Sequence, residues 1–336
     1  MPDESPIDYS IIICTYNTDE RILKSCLESV AALDREGLET QVILADNNSM
    51  TPAESLGFVR QTFSKVPNMK GILVSQQGLK YARMEAIEKA KGKYIVFIDA
   101  DNEPESDYLQ QLKKLNAQFE QVGAWGPGNV AVEFIDSIDK SLESYARTAF
   151  RERHDTSLKT ANLAEWQPCY PSGMGLCMVS SILKEYVTLA KQGKFTSEGR
   201  KGKVLSAGDD LQMVMLGIKN GYHAGVSPAL RLKHLIPKER ANKEHLKKLV
   251  FGTALWHEPS LLQVFPERKN LIEEKALSSF AFSSLAAKKL ATSKLGSAKL
   301  LFDAIDFIGY QAGIYQGLNK PLPDMIKKMI NSLNLK

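Results

Sequence analysis

Four short apolar runs alternate with segments of helical periodicity between residues 9 and 101, and this alternation constrains the fold more than any other feature of the sequence. The runs are YSIIICT, TQVILAD, MKGILV and YIVFID. The segment ERILKSCLESVAAL, between the first two runs, repeats its apolar residues at the spacing of one helix face, and Thr18 or Asp19 could cap it. Strands that alternate with helices form right-handed βαβ units. The sequence therefore predicts an α/β fold with a mostly parallel central sheet flanked by helices.

Polar residues follow three of these four runs directly. They are Thr15, Tyr16 and Asn17, then Asp46, Asn47 and Asn48, and finally Asp99 and Asp101. In a parallel sheet the carboxyl ends of the strands share one edge, and ligands bind there. We therefore expect the three clusters to line one cleft, suited to a cation or a nucleotide.

Asp99 and Asp101 stand one residue apart at the end of the fourth run. Residues i and i+2 of an extended chain lie on the same side, so both carboxylates could face one ligand. Mg²⁺ and Mn²⁺ commonly bind one or two carboxylates together with the phosphates of a substrate. An ordinary polar turn is the alternative, but the position directly after a strand favours a site.

Asp46 and Tyr16 each have a structural alternative. Asp46 could hold a ribose or the edge of a base, or it could belong to a surface turn, since Asp-Asn-Asn is good turn chemistry. Tyr16 could stack on a base or be a half-buried aromatic residue at the end of a strand. The sequence leaves both alternatives open.

A second pair of acids, Asp209 and Asp210, opens a predicted helix in the stretch GDDLQM. Acids in the first turn stabilise a helix dipole, so capping explains them without any catalysis. A carboxylate there could also act as a general base. His234 precedes Pro237 in a short apolar run, and its imidazole could bind Mn²⁺ or serve the structure only.

Composition excludes several classes of protein. The chain has 336 residues, 43% of them hydrophobic and 24% charged, with a net charge of +4, which is too weak to indicate nucleic-acid binding. The four cysteines form no C-x-x-C pair and indicate reduced thiols in the cytoplasm. The polar start MPDESPID does not resemble a secretory signal, and no apolar run approaches the roughly 18 residues of a membrane span.

The second half of the chain is less regular. The segment KQGKFTSEGRKGKVLSAG is rich in lysine and glycine and is predicted to be a mobile loop, and the chain is expected to be helical from about residue 270. Residues 277–336 carry eight lysines against three aspartates, a surplus of five positive charges. These helices could lie on an anionic membrane surface or form a cap with solvated lysines.

Seven stretches, in this order, resemble the family 2 glycosyltransferases of the GT-A fold. They lie between residues 8 and 250 and are IIICTYN, VILADNNS, GLKYARMEAI, YIVFIDADNEP, SGMGLCMV, GDDLQMVMLGIKNGYHAGVSPALRLKH and HLIPKER. The resemblance implies a Rossmann-like GT-A catalytic domain over residues 1–250 and a helical C-terminal extension over residues 251–336. It also implies inverting transfer of a sugar from a nucleotide-diphosphate donor, with UDP as the expected nucleotide.

The resemblance assigns a role to each candidate residue. Asp210 would be the base, with Asp209 as a supporting acid, and Asp101 and His234 would bind Mn²⁺ or Mg²⁺. The donor would contact a larger group: Thr15, Tyr16, Asn17, Asp46, Asn48, Gly78, Arg83, Asp99, Ala100 and Asp101. The loop under the donor sugar and the acceptor would be Gly173, Met174 and Gly175.

Two positions depart from the family pattern. The family commonly has Glu-Asp where this chain has Asp209 and Asp210, and it often has Asn at the position of Met84. The first departure keeps the acid at Asp210. The second, at Met84, removes a polar group near the donor.

Other activities and the exact substrates stay open. A sugar nucleotidyltransferase would usually have a glycine-rich loop after the first strand, and CTYNTDER contains no glycine. A non-catalytic protein that binds sugar nucleotides is a further alternative. The expected acceptor is a glycan or a lipid-linked saccharide, and the expected location is the cytoplasm, with possible contact to the inner face of the membrane. The donor sugar, the linkage and the oligomeric state are not predicted.

Overall fold

A computed structural model describes residues 6–196, 200–201, 204–205, 208–293 and 298–335. The strands are β1 (Tyr9–Thr15), β2 (Thr40–Asp46), β3 (Met69–Leu73), β4 (Tyr94–Asp99), β5 (Asn102–Pro104), β6 (Val122–Phe134), β7 (Arg153–His154), β8 (Lys159–Ala161), β9 (Cys177–Val179), β10 (Arg200–Lys201), β11 (Val204–Leu205) and β12 (His223–Ile236). The α-helices are α1 (Glu20–Ala31), α2 (Gly57–Lys65), α3 (Leu79–Lys89), α4 (Tyr108–Gln118), α5 (Lys140–Ala149), α6 (Ser180–Lys191), α7 (Asp209–Lys219), α8 (Lys243–Val264), α9 (Lys269–Lys275), α10 (Ser279–Ser293), α11 (Ala298–Gly317) and α12 (Asp324–Ser332).

The described residues divide into two compact units. The first contains the residues up to Glu133 together with Glu152–Lys194 and Met213–Ile236. The second contains Phe134–Arg151, Phe195–Gln212 and the residues from Pro237 onward. The predicted boundary near residue 250 stays a prediction.

The first unit is built on one large sheet with the strand order β3-β2-β1-β4-β9-β6-β12-β5, to which β7 and β8 add at β6 and β12. The first four strands are parallel, as their alternation with helices predicts. Apolar residues of β1, β2 and β4 pack on one face of this sheet against α1 and α4. The helix α1 begins at the predicted cap, because the Asp19 side chain accepts a hydrogen bond from the Arg21 backbone N–H.

The remaining strands of the sheet are paired in antiparallel orientation, whereas the sequence predicts a mostly parallel sheet. Strand β9 runs antiparallel to both β4 and β6, and β12 runs antiparallel to β5 and β8. Strand β5 follows β4 after only two residues but pairs with β12 rather than with β4. The fold is therefore a mixed sheet whose parallel half carries the predicted strand ends.

The second unit is mostly helical and contains α5 and α8 to α12. The prediction of helices from about residue 270 agrees with α9 to α12, which are joined by short connections. None of the described helices is both long enough and apolar enough to cross a membrane.

The lysine-rich segment, predicted as a mobile loop, contains a short antiparallel pairing of β10 with β11. The pairing joins Arg200 to Leu205 and Lys201 to Val204. The sequence shows no alternation there because each strand is only two residues long. Residues 197–199, 202–203 and 206–207 of this segment lie outside the described residues.

Candidate functional site

The parallel strands bring the three predicted polar clusters to one edge of the sheet. In the register of the sheet Thr15 is the partner of Asp46, and Cys14 is the partner of Asp99. The loops that follow these strands therefore leave the sheet side by side at one edge, as the sequence predicts.

The D-x-D turn is held by a residue to which the sequence assigned no role. Asn102 is completely buried, and its side-chain oxygen accepts a hydrogen bond from the Asp99 backbone N–H at 3.2 Å. Its side-chain nitrogen donates to Asp101 Oδ1 at 3.0 Å. Ala100, between the two acids, is also buried. Asn102 therefore fixes the backbone of one acid and the carboxylate of the other.

Asp101 and His234 lie side by side, as expected for a shared ligand. Strand β12 places His234 opposite Asn102 in the antiparallel ladder with β5, and the Leu235 backbone N–H donates to the Asp101 carbonyl at 2.8 Å. The distance from His234 Nε2 to Asp101 Oδ2 is 3.3 Å. This contact joins two residues 133 positions apart in the chain, which the family resemblance grouped and which the pairing of β5 with β12 brings together.

The separation of Asp101 and His234 suits a direct contact of the two side chains and would also suit two ligands of one divalent cation. Neighbouring ligands of an octahedral ion with bonds of about 2.1 Å stand about 3 Å apart, and the observed separation is close to this value. Among the described residues no group of three or more His, Cys, Asp and Glu side chains could hold a metal ion. A cation bound by these two residues would take its other ligands from phosphate oxygens and water, as Mg²⁺ commonly does.

Arg83 and Asp99 form a second pair at the same edge. Arg83 Nη2 lies 3.1 Å from Asp99 Oδ1, and the arginine side chain is only 4% exposed while the carboxylate is 34% exposed. The guanidinium also lies over the ring of Phe97, 5.2 Å from its centre. A buried guanidinium needs an opposite charge or an aromatic ring beside it, and Arg83 has both. The Asp99 carboxylate remains partly exposed, so it can accept a hydrogen bond from a hydroxyl group of a ligand.

The predicted loop of Gly173, Met174 and Gly175 lies against this arginine. A Cβ atom at Gly173 would stand 2.8 Å from Arg83 Nη2, so a side chain at this position would displace the guanidinium. The carbonyl of Gly175 accepts a hydrogen bond from the Tyr108 hydroxyl at 2.7 Å. Burial raises the pKa of Tyr108 well above its usual value, so the hydroxyl remains a neutral donor. The loop therefore has a fixed position beside Asp99.

Tyr16 and Asn17 lie in a loop that is tied to the loop after β2. The Asn17 backbone N–H donates to the Ser49 hydroxyl at 2.9 Å, and the Asn17 side-chain oxygen accepts from the Met50 backbone N–H at 2.8 Å. Tyr16 is 42% exposed, and its hydroxyl accepts a hydrogen bond from the Gln77 side chain at 3.1 Å. Its ring is therefore exposed beside the end of β1.

Asp46 has a structural role that the sequence presented as the alternative. Its two carboxylate oxygens accept hydrogen bonds from the backbone N–H groups of Ser49, at 3.0 Å, and Ala53, at 2.7 Å. Thr15 is buried, and its hydroxyl bonds to that of Thr18. Asn48 is exposed and has a positive φ of 63°, which suits a turn. A contact from Asp46 to a base would have to use the remaining lone pairs of its carboxylate.

Asp209 and Asp210 belong to the second unit and form the first turn of α7. Asp209 is buried, while Asp210 is partly exposed, and Asp210 Oδ1 accepts a hydrogen bond from the Leu211 backbone N–H at 2.9 Å. This position favours stabilisation of the helix start, and it also places a carboxylate at a helix terminus. Both interpretations of these acids stay open.

Comparison with known proteins supplies the family. A family model described as "Glycosyl transferase family 2" matches residues 10–182. An N-acetylglucosaminyltransferase of Rhizobium leguminosarum bv. phaseoli is 30% identical over 125 residues, 37% of this chain and 28% of that protein. An N-acetylglucosaminyltransferase of Rhizobium meliloti (strain 1021) is 23% identical over 235 residues, 68% of this chain and 51% of that protein. The chain thus spans about half or less of the length of these relatives.

One solved structure supports the fold along almost the whole chain. It is the mannosyltransferase PcManGT from Pyrobaculum calidifontis in complex with GDP-Man and Mn²⁺, with a TM-score of 0.53 and 17% identity. The similarity covers 99% of this chain and 91% of that chain. At this identity the similarity shows a shared fold only.

Proposed function

Because this chain belongs to glycosyl transferase family 2, we propose that it transfers a sugar, with inversion, from a nucleotide-diphosphate donor to a hydroxyl group of a glycan or a lipid-linked saccharide. The family and the GT-A fold predicted from the sequence are confirmed, and the family supports a glycosyltransferase as the proposed class of enzyme. The donor, the acceptor, the stereochemistry and the metal are the proposed part.

The observation that carries this proposal is the arrangement of two pairs at one sheet edge, Arg83 with Asp99 and Asp101 with His234. Asp99, held by Arg83, would accept a hydrogen bond from a hydroxyl group of the ribose or of the sugar. Asp101 and His234 would hold Mn²⁺ or Mg²⁺. When it is bound there, the cation supplies positive charge against the diphosphate that departs.

The remaining donor contacts are proposed by position. Tyr16 would stack on the base, which we propose to be uracil, with Thr15, Asn17, Asp46 and Asn48 in the loops around it. Gly78 begins the helix that carries Arg83, and Gly173, Met174 and Gly175 would lie under the sugar. Relatives named as N-acetylglucosaminyltransferases support a sugar donor, although they match only part of this chain.

Asp210 is the proposed general base, with Asp209 beside it as a supporting acid. As the acceptor oxygen attacks the anomeric carbon, Asp210 would take its proton, and the bond from that carbon to the diphosphate oxygen would break on the opposite face. The configuration of the sugar is then inverted.

We also propose that the protein works in the cytoplasm and contacts the inner face of the membrane through α10. The cytoplasmic location is proposed from the sequence, in which the cysteines form no C-x-x-C pair and indicate reduced thiols. On α10, Phe282 and Ala286 are buried, whereas Phe280 is 84% exposed and Lys288 is exposed. The exposed Phe280 and the exposed Lys288 on this helix are the observations that support a contact with anionic lipid.

Release of UDP from a panel of UDP-sugars tests the activity, with GDP- and dTDP-sugars as further donors. Asp210→Asn should keep UDP affinity, because asparagine is also suited to a helix start, but should lower turnover about 10²- to 10⁴-fold. Asp209→Asn is the matched control and should retain more activity. Near-normal turnover of Asp210→Asn would contradict the assignment of the base, and UDP binding without any UDP release would favour a non-catalytic binding protein.

A further inference from the structure

Asn47 follows β2, and its backbone is fixed by the sheet. The residue is 5% exposed, and its backbone N–H donates to the Thr15 carbonyl at 2.8 Å, which continues the pairing of β1 with β2. With its backbone held in this way, its side chain has a constant position from which to bind a neighbouring segment.

The Asn47 side chain binds the backbone of residues 74–78. Its nitrogen donates to the carbonyls of Val74, at 3.2 Å, and Gln76, at 2.8 Å, and its oxygen accepts from the Gly78 N–H at 2.6 Å. Both amide hydrogens and the amide oxygen are therefore used. Strand β3 ends at Leu73, and the Val74 backbone N–H still donates to the Asp46 carbonyl at 2.8 Å, so the Asn47 side chain holds the chain where it leaves the ladder of the sheet.

The segment 74–78 leads to two parts of the donor site. Gln77, between two residues held by Asn47, donates from its side chain to the Tyr16 hydroxyl at 3.1 Å. Gly78 has a φ of 132°, which side chains rarely allow, and it precedes α3, the helix that carries Arg83 to Asp99. The placement of Tyr16 and that of Arg83 thus both depend on the same few backbone groups.

We propose that Asn47 is a positioning residue that holds residues 74–78 in the conformation that binds the donor nucleotide before the donor arrives. This inference rests on the proposed function, since it takes the sheet edge as a donor site. If the segment occupied that conformation only a tenth of the time, the apparent affinity would fall about tenfold. Loss of Asn47 is therefore expected to weaken nucleotide binding without changing a single contact to the nucleotide.

Gln41, on strand β2, offers a matched control. It is 7% exposed, and its side-chain oxygen accepts from the Ser10 hydroxyl at 2.9 Å and the Lys91 N–H at 3.0 Å. Its side-chain nitrogen donates to the Lys89 carbonyl at 3.3 Å. Gln41 therefore makes the same kind of bonds as Asn47, but near the amino end of β2 and toward the end of α3 rather than its start.

The experiment compares Asn47→Ala, the nearly isosteric Asn47→Asp, and Gln41→Ala in the full chain. Asp cannot donate to the carbonyls of Val74 and Gln76, so it tests the hydrogen bonds without leaving a cavity. Hydrogen exchange of residues 74–78 is measured without ligand, and the Kd of UDP is measured with Mn²⁺. Thermal midpoints of all three variants measure the general loss of stability.

We expect both Asn47 variants to exchange faster at residues 74–78 and to bind UDP about tenfold more weakly or worse. Gln41→Ala should lose similar stability but keep its Kd within about twofold of wild type, because its bonds lie far along the strand from the donor site. A folded Asn47→Asp protein with unchanged exchange and unchanged Kd would overturn the inference, as would an equal loss of affinity in Gln41→Ala. If wild type binds no UDP, the proposed donor fails, while exchange at residues 74–78 still decides whether Asn47 holds the segment.

Discussion

At the scale of single residues, the two acids of the D-x-D turn depend on the buried amide that follows them. Asn102 bonds to the backbone of Asp99 and to the carboxylate of Asp101, so that the other oxygen of Asp101 faces His234. Groups that orient a metal ligand commonly contribute to affinity even though they do not touch the metal. Asn102 is expected to act in this way.

Asn102→Ala should therefore weaken Mn²⁺-dependent UDP binding by about 10- to 100-fold, the usual range for such orienting groups. Asn116→Ala is the control, because Asn116 is also a buried amide of the first unit, bonded to the Tyr9 hydroxyl near the start of β1. Calorimetric titration of UDP in Mn²⁺ measures both, with Asp101→Ala as the reference for loss of the ligand itself. Equal affinity of Asn102→Ala and wild type would refute the orienting role.

Single residues also show where the sequence was insufficient. The position of Asp99 and Asp101 at the edge of the sheet could be predicted, because acids rarely follow a buried strand directly. Asn47 and Asn102 could not, since a buried asparagine that binds backbone and an asparagine in a surface turn look the same in sequence. The contact of Asp101 with His234 needed the pairing of β5 with β12, which no local pattern encodes.

At the scale of elements, periodicity decided what could be predicted. Strands β1, β2 and β4 and helix α1 follow their apolar patterns, because each is buried against its sequence neighbours. Strands β6 and β12 are 13 and 14 residues long, yet both contain glycine and proline, and β12 pairs with segments more than 60 residues earlier. Their partners, rather than their own composition, make them strands.

The helical unit contains a buried carboxylate that joins three helices. Glu258 on α8 is 1% exposed, and it accepts hydrogen bonds from Tyr310 on α11, at 2.6 Å, and Lys275 at the end of α9, at 3.1 Å. Burial acts to raise the pKa of Glu258, but the bonds from Tyr310 and Lys275 outweigh it and the pKa lies below its usual value. Burial also lowers the pKa of the adjacent His257.

Both shifts make the folded protein less stable in acid. A carboxyl with a lowered pKa contributes stability above its unfolded pKa of about 4.3, and that stability is lost as the pH falls through the folded pKa. A histidine with a lowered pKa resists protonation when folded, so stability declines once the pH falls below its unfolded pKa of about 6.5. The two effects have the same sign.

Glu258→Gln is expected to be less stable than wild type by about 2 kcal/mol at pH 7, because the buried carboxylate loses the charge that strengthens its hydrogen bonds to Tyr310 and to the 45% exposed Lys275. The difference should begin to shrink only as the pH falls below about 4.3, and it should vanish as the pH passes through the lowered folded pKa, where wild type protonates the same carboxylate. Urea unfolding at a series of pH values measures this, with the partly exposed Glu273→Gln as a control expected to show little effect. A difference that stays constant with pH would show that ionisation of Glu258 does not stabilise the helical unit.

At the scale of the whole molecule, the proposed membrane contact predicts that the protein floats with lipid vesicles. Vesicles that contain anionic phosphatidylglycerol should carry wild type upward in a density gradient, and neutral phosphatidylcholine vesicles should not. Phe280→Ser should reduce flotation, whereas Met50→Ser, which changes an 88% exposed residue of the first unit, should not. Wild type that stays at the bottom with anionic vesicles would leave α10 as a solvated helix of a cap.

The central claim concerns a metal-assisted nucleotide site at the edge of the sheet, and titration calorimetry of UDP tests it most directly. We expect micromolar binding in Mn²⁺ that disappears in EDTA, since Asp101 and His234 would hold the cation between protein and diphosphate. GDP and dTDP, titrated in the same buffers, identify the base if UDP does not bind. Absence of binding for all three nucleotides in Mn²⁺, or binding that is equally strong in EDTA, would contradict the account of this site.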